Sequence, residues 1–535
     1  MGEESVQSAS DVRMFDQMQQ GLRMKASELF LREEWQESIK VYSDLVELCE
    51  NEISLIQHIQ AHDQALKIRK FLCLALSNRA EARLILGNWE EALADCNRVL
   101  TTEGTHFRSL VCKGKILLGL NRYFDASLCF KAALLDSQAS GNSQSLNEYV
   151  EKCRRLEVQS RIGVFDLSDW ILSGFRRKCP ELAEYVGPLE IKKSYLSGRG
   201  LFAAKDVEMG TCMFVTKAIA IERGILFGQE TDEINARLVM WKNFVDKVVD
   251  SASKYKRAHQ LILTLSAGLE EELLEVPDIK MFKPDSEDHR GTTDESVDKS
   301  KILSILGVNS LVEDSISAKV LGKNRNYYGV GLWVLASFVN HSCKPNARRL
   351  HIGDHVMVLA SRNIKAGEEI TFCYFDVLEP FHKRAEVSKS WGFTCRCDRC
   401  EFEKGFSSRQ ESEEICKQVD RGGVHLAGAI LQLEDEMRKR MVKGRAKGYL
   451  RASFWKAYSL LFESSRQVNR KLPPVDAVID TVVEATGSDD RVLRVLIEWS
   501  RKAGGEPEKA MKVARGVYGK AMKKQAMKFL CDIDS

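Results

Sequence analysis

The stretch 337-SFVNHSCKPNARR-349 follows directly on an apolar run, 327-YYGVGLWVLA-336, and sets Asn340, His341, Cys343, Pro345 and Asn346 within seven positions. The apolar run reads as chain entering a core, where polar side chains need partners. Further on, 391-WGFTCRCDRCEFE-403 carries three cysteines in six positions. Three thiols fall one short of the closed shell of four that structural zinc favours. Cys343 is the candidate for the fourth ligand beside Cys395, Cys397 and Cys400. Taken alone, the cluster also suits a three-thiol redox centre or reactive surface cysteines.

Working outward, 535 residues are too many for one compact domain, and two to four are expected. A charged fraction of 29% with a net charge of +3 gives no reason to expect direct nucleic-acid binding. The N-terminal MGEESVQSASDVRMFDQ is polar and lacks an apolar core, so no signal peptide is expected, and Val6 departs from a myristoylation signal. No apolar run approaches the ~20 residues that span a bilayer. The chain is therefore read as intracellular, nuclear or cytoplasmic, and its 15 cysteines as buried small residues and metal ligands rather than a disulfide framework.

Residues 21–160 read as helical repeats behind a tail at 1–20. Aligning 76-LSNRAEARLILGNWEEALADCNRVL-100 with 110-LVCKGKILLGLNRYFDASLCFKAAL-134 places Ala92 and Ala126, Trp89 and Tyr123, and Ala80 and Gly114 each 34 residues apart. That period, with small residues in the helices and an aromatic at the turn, resembles the tetratricopeptide repeat (TPR). An earlier copy, 26-ASELFLREEWQESIKVYSDL-45, puts Trp35 54 residues before Trp89, which implies an insert of about 20 residues near 49–69.

Beyond Pro180 the pattern turns to strands. Gly353-Asp354 between 347-ARRLHI-352 and 355-HVMVLA-360 fits a two-residue hairpin turn. A helical insert is expected at about 225–326, holding a polar stretch, 282–300, read as a mobile loop. Residues 410–535 read as helical with a break at 472-LPP-474, and the basic run 438–447 as a solvated helix face.

The segments 197-SGRGLFAAKDVEMG-210, 339-VNHSCKPN-346 and 367-GEEITFCYFD-376, followed by the cysteine cluster, together resemble the SET domain of protein lysine methyltransferases, and more narrowly the SMYD type. The likeness covers roughly 188–403, within a SET domain expected over 180–403 that ends in a post-SET zinc segment at 391–403. It departs from SMYD proteins in one respect: residues 224–330 contain no cysteine, so no MYND finger is expected. The implied architecture is α+β and multidomain: a TPR solenoid, a β-rich SET domain with a helical insert and post-SET zinc, and C-terminal helices.

The resemblance implies S-adenosylmethionine as methyl donor, structural Zn²⁺ in the four-cysteine shell, and a lysine side chain of a protein as substrate. It assigns cofactor contacts to Arg199, Gly200, Leu201, Asn309, Asn340, His341 and Phe393. Tyr374 is the active-site tyrosine, and Phe393 and Trp391 line the lysine channel, with Trp391 standing where the pattern has tyrosine. Glu368 counts among the residues whose presence favours an enzyme over the alternative, a non-catalytic TPR scaffold with a SET-like core. The repeats are expected to take a protein partner, possibly a C-terminal peptide, through Arg23, Asn78 and Arg108, although Ser27 and Cys112 replace two expected clamp residues.

Overall fold

The computed structural model describes residues 3–57, 62–226, 230–268, 274–284, 296–313, 327–406, 409–421, 423–464, 472–503 and 507–533. The chain divides into two compact units, Met1–Val158 and Gln159–Ser535.

The first unit is a run of antiparallel helices: α1 (Glu3–Leu31), α2 (Trp35–Gln57), α3 (His62–Ile85), α4 (Trp89–Thr102), α5 (Phe107–Gly119) and α6 (Tyr123–Leu134). Each packs on the next, giving TPR-like hairpins. The repeat's small residues, Ala26, Ala80, Ala92 and Ala126, are fully buried. Gly114 lies so close to Phe130 that a Cβ there would come within 2.7 Å of the ring. A buried fork ties α3 to α4: Arg79 binds both oxygens of Asp95 (2.7 and 2.9 Å) and Arg83 adds a third contact at 2.6 Å.

The chain read as a tail at 1–20 is helical from Glu3, within α1. The insert of about 20 residues expected near 49–69 falls on helical chain. It lengthens two neighbouring helices, so α2 has 23 residues and α3 has 24, against 14 in α4.

The second unit is built on a four-stranded antiparallel sheet. Its strands are β1 (Tyr185–Val186), β4 (Cys212–Lys217), β10 (His355–Ala360) and β9 (Ala347–Ile352), in that order. The pairing of His355 with Ile352 makes Gly353-Asp354 a two-residue turn, with Gly353 at φ +55°. Around this sheet lie β2 (Leu189–Lys193) with β3 (Arg199–Ala203), and β5 (Ile221–Ile225) and β6 (Leu311–Val312) flanking β7 (Tyr327–Gly331). The last pair, β8 (Asn340–His341) and β11 (Thr371–Phe372), is parallel.

Both faces of the sheet are covered. Along β10, Val356, Val358 and Ala360 pack with Phe244, Ile305 and Trp333 of the insert side. The alternate residues Met357 and Leu359 share a core with Val513, Ala514 and Val517 of the helix Pro507–Tyr518, which lies against β9 and β10. The C-terminal region is thus the second wall of this sheet. In the insert, helices run over Glu230–Lys254, Lys256–Leu263 and Lys299–Asn309. Residues 285–295 of the stretch read as a mobile loop lie outside the described residues. The basic run begins on a solvated helix end, where Arg438 and Lys439 pair with Asp435, and Arg440 with Glu436. Among the described residues, no helix is long and apolar enough to cross a membrane.

Candidate active site and metal centre

The opening stretch is where the two halves of the strand region cross. Asn340 and His341 lie beside Thr371 and Phe372, and the crossing is sewn by Ser342 N–H to Phe372 O (3.2 Å), Asn346 N–H to Thr371 O (3.1 Å) and Thr371 N–H to Asn346 Oδ1 (2.8 Å). Ile370 N–H donates to Leu201 O at 2.7 Å, which brings β3 into the same crossing. Extended, buried chain with unpaired backbone groups is costly, and these bonds supply the partners.

Asn340 is buried and its amide nitrogen points at three acceptors: Ser197 O (3.0 Å), Arg199 O (3.1 Å) and Glu369 Oε1 (2.7 Å). Ser194 Oγ donates to the same carboxylate at 2.8 Å. Gly200 lies beneath this group, and a Cβ there would come within 2.3 Å of Glu369 Oε1 and 3.2 Å of Asn340 Nδ2. The glycine thus makes room for Glu369 and Asn340. Burial raises the Glu369 carboxyl above its ordinary range, against the opposing hydrogen bonds of Asn340 and Ser194. Glu368, counted from the sequence, faces away and pairs with Arg362 and Asn346. The carboxylate that reaches Asn340 is its neighbour.

Leu201 has its side chain in the core. Arg199 is buried over the Phe338 ring (5.2 Å) and donates to Thr264 O and Glu275 O. Asn309 donates to Ser266 O and Ile305 O, and its carbonyl accepts from Ser337 Oγ at 3.2 Å. Both side chains therefore brace residues 264–266 against the turn that leads into Asn340.

The His341 ring is central to an aromatic cluster. Its centroid lies 4.3 Å from Phe375, 5.3 Å from Tyr374 and 5.6 Å from Phe393. Trp391 stacks on Tyr374 at 6.1 Å and is more than half exposed. Tyr374 OH donates to Val339 O at 3.0 Å, and burial pushes its pKa up to about 12, so the phenol is neutral. Phe375 was not singled out in the sequence. Its signal was its place in 373-CYFD-376, next to the tyrosine that was.

The four cysteines meet as the pattern implied. Their sulfurs lie within 4.8 Å of one another, with Cys343 to Cys400 at 3.5 Å and Cys343 to Cys395 at 4.0 Å. A tetrahedral zinc with ~2.3 Å bonds would space its sulfurs about 3.8 Å apart, so the donor set fits the ion. Hydrogen bonds, first from Cys395 and then from Cys397 and Cys400, hold the Cys343 thiol well below its ordinary pKa despite burial. Tyr374 N–H donates to His341 Nδ1 at 3.0 Å, which leaves Nε2 to carry the ring proton toward Cys343 Sγ at 3.3 Å. One imidazole thus joins the tyrosine's backbone to the cysteine shell.

Comparison with known proteins agrees with this geometry: residues 198–375 match the SET domain family model. That segment is therefore similar to SET domains, and the rest of the chain lies outside the match. A "Methyltransferase" from Gibberella zeae is 27% identical over 398 residues, covering 70% of this chain and 50% of that protein. The "Histone-lysine N-methyltransferase SMYD3" of Mus musculus is 39% identical over 93 residues, covering 17% of this chain and 22% of that protein. The chain spans half or less of the length of these relatives. A solved structure titled "TPR2B-domain:pHsp70-complex of yeast Sti1" aligns with 26% of this chain and 98% of its own, at 19% identity and a TM-score of 0.21.

On the repeats, two of the suggested clamp positions touch each other: Arg108 Nη1 donates to Asn78 Oδ1 at 3.3 Å, and Arg108 also faces Glu81 at 3.7 Å. Arg23 is exposed, Ser27 partly so, and Cys112 is buried.

Proposed function

We propose that the chain is an S-adenosylmethionine-dependent protein lysine N-methyltransferase whose repeats bind a partner protein. The observation that carries this is the Asn340–His341 strand crossing Thr371–Phe372 directly beside a half-buried, neutral Tyr374 within a ring of aromatic side chains. S-adenosylmethionine, when bound, supplies a methyl group on an electrophilic sulfonium. Gly200, Asn340, His341 and Phe393 are the residues proposed to hold it, with Arg199 and Asn309 bracing that wall. The spent amide nitrogen of Asn340 leaves its carbonyl oxygen as the group to meet a donor such as an α-ammonium.

A lysine enters the reaction as the neutral amine, yet its free pKa is near ~10.4. Apolar walls disfavour the charged form, so Phe375, Phe393 and Trp391 help the amine shed its proton to solvent. Tyr374, fixed by Val339, orients the nitrogen for in-line attack. Zn²⁺ in the shell of Cys343, Cys395, Cys397 and Cys400 would pin the Phe393 segment to the Asn340 segment. In the repeats, a peptide carboxylate would have to displace Glu81 from Arg108, so weak recognition of acidic C-termini is the proposed mode.

The test is incubation of the chain and its Tyr374→Phe variant with methyl-labelled donor and a cell extract, with the labelled protein and residue then identified. Label on lysine with the unaltered chain only is the expected result. Absence of label from any protein supports instead a scaffold that works through its repeats.

A further inference from the structure

The cysteine shell sits in a pocket that carries buried charge of its own. Cys343, Cys397 and Cys400 are nearly inaccessible, and Val377, Phe375 and Phe381 pack against them. Four thiolates around one Zn²⁺ leave two net negative charges, and burying uncompensated charge is costly. Arg384 supplies a cation at this place. It lies on the helix Phe381–Ser390, is 2% exposed, and its Nη1 donates to Cys400 Sγ at 3.3 Å. Its Nη2 pairs with Glu403, and its Nε donates to Glu379 O at 2.8 Å.

Glu403 is shared. Arg399, fully buried, binds its Oε1 at 2.9 Å and also donates to Cys343 O (3.0 Å) and Val377 O (2.8 Å). Ser453, at the end of the C-terminal helix Arg445–Ser453, accepts from Arg399 Nη2 and donates to Glu403, each at 2.9 Å. Two arginines against one glutamate leave one positive charge beneath the cysteines. Its direct contact with a sulfur runs through Arg384.

We infer that Arg384 is the charge-balancing partner of the zinc tetrathiolate, and that Glu403, shared with Arg399 and Ser453, limits the positive charge that Arg384 presents to the sulfurs. The inference rests on the zinc reading proposed above. A guanidinium is suited to the task because it stays charged when buried and its fork contacts sulfur and carboxylate at once. Removing Glu403's charge leaves more positive charge facing the thiolates. Replacing Arg384 by a neutral side chain leaves less. The two changes therefore act in opposite directions on zinc if charge is the mechanism, and in the same direction if the network only packs.

The experiment measures zinc content per full-length chain, then zinc affinity by competition with a chromogenic chelator, for the unaltered protein, Arg384→Met and Glu403→Gln. Circular dichroism confirms that each is folded. The expected result is one zinc per unaltered chain, roughly 10–100-fold weaker binding in Arg384→Met, and binding at least as tight as the unaltered chain in Glu403→Gln. With Co²⁺ in place of zinc, the sulfur-to-metal absorption band should shift in Arg384→Met as Cys400 loses its donor. Equal zinc affinity in Arg384→Met, or weakening in Glu403→Gln, overturns the inference while leaving the zinc site standing. If Arg384→Met does not fold, Glu403→Gln alone decides, because it keeps the side chain's shape. An unaltered chain that binds no zinc overturns the zinc reading, and the inference with it.

Discussion

Gly200→Ala is the sharpest perturbation of the crossing. The added methyl would come within 2.3 Å of Glu369 Oε1, 2.9 Å of its carboxyl carbon and 3.2 Å of Asn340 Nδ2. Ordinary contact begins about 1 Å further out, so the carboxylate has to retreat by roughly that amount. Both of its oxygens accept from Ser194, and one also accepts from Asn340 at 2.7 Å, so it cannot move without giving up these bonds. A hydrogen bond to a charged group contributes about 1.5–3 kcal/mol. If the Asn340 amide loses that share of its orientation, affinity for S-adenosylmethionine should fall roughly 10- to 100-fold, at 1.4 kcal/mol per factor of ten. Titration calorimetry with the cofactor, beside a thermal melt showing a retained fold, measures it. The double variant Gly200→Ala/Glu369→Ala isolates the cause, since the methyl should cost little once the carboxylate is gone. Unchanged affinity in Gly200→Ala, or an equal loss on the Glu369→Ala background, would refute the reasoning.

Further outcomes are expected at three positions. Tyr374→Phe should lower methyl transfer about 10-fold or more while costing only about 0.5–1.5 kcal/mol of stability through the orphaned Val339 carbonyl. Because burial raises the phenol to about 12, the unaltered protein should lose stability between pH 10 and 12, where the unfolded tyrosine ionises first, and Tyr374→Phe should lose less in urea melts over that window. Cys343→Ser should release the metal and leave the His341 ring a neutral hydroxyl in place of a sulfur acceptor, which metal analysis and calorimetry with the cofactor read separately. Arg348→Met should cost about 1.5–3 kcal/mol at pH 7 by removing one of the two arginines that pair with buried Asp489, with Arg491 remaining. Burial works upward on Asp489, yet Arg348 and Arg491 hold it below its ordinary value, so its stabilisation is present at neutral pH and lost in acid. The deficit of Arg348→Met should shrink as pH falls through the carboxylate range and Asp489 takes a proton.

How much of this was legible in the sequence depends on range. The 34-residue period and the Gly353-Asp354 turn were readable because their causes are local: a small residue where helices touch, and a glycine where φ is positive. Cys395, Cys397 and Cys400 were readable from their spacing and from the four donors that zinc favours, while Cys343 as the fourth rested on the resemblance. The insert near 49–69 was seen as extra length but not as longer helices, since nothing in its composition ends α2 earlier. Glu368 and Glu369 could not be ranked from the sequence. Adjacent residues on extended chain face opposite sides, and which side meets Asn340 is set by a crossing 29 residues away.

The C-terminal helices show where a signal was present and its consequence was not drawn. The strand 355-HVMVLA-360 is almost unbroken apolar sequence, the mark of a strand buried on both faces. One face was accounted for by the SET insert, so the other required a second wall. The structure supplies it from Val513, Ala514 and Val517 on the helix Pro507–Tyr518, backed by the other C-terminal helices. The same helices reach the site region through buried or bidentate charge: Ser453 touches Glu403 beneath the cysteines, and Arg491 binds both oxygens of Asp376, two residues beyond Tyr374. These contacts span 50 and 115 residues, beyond any local pattern. They make the C-terminal region part of what positions the tyrosine and the cysteine shell, so truncating the chain after Phe406 should expose one face of the sheet and loosen both.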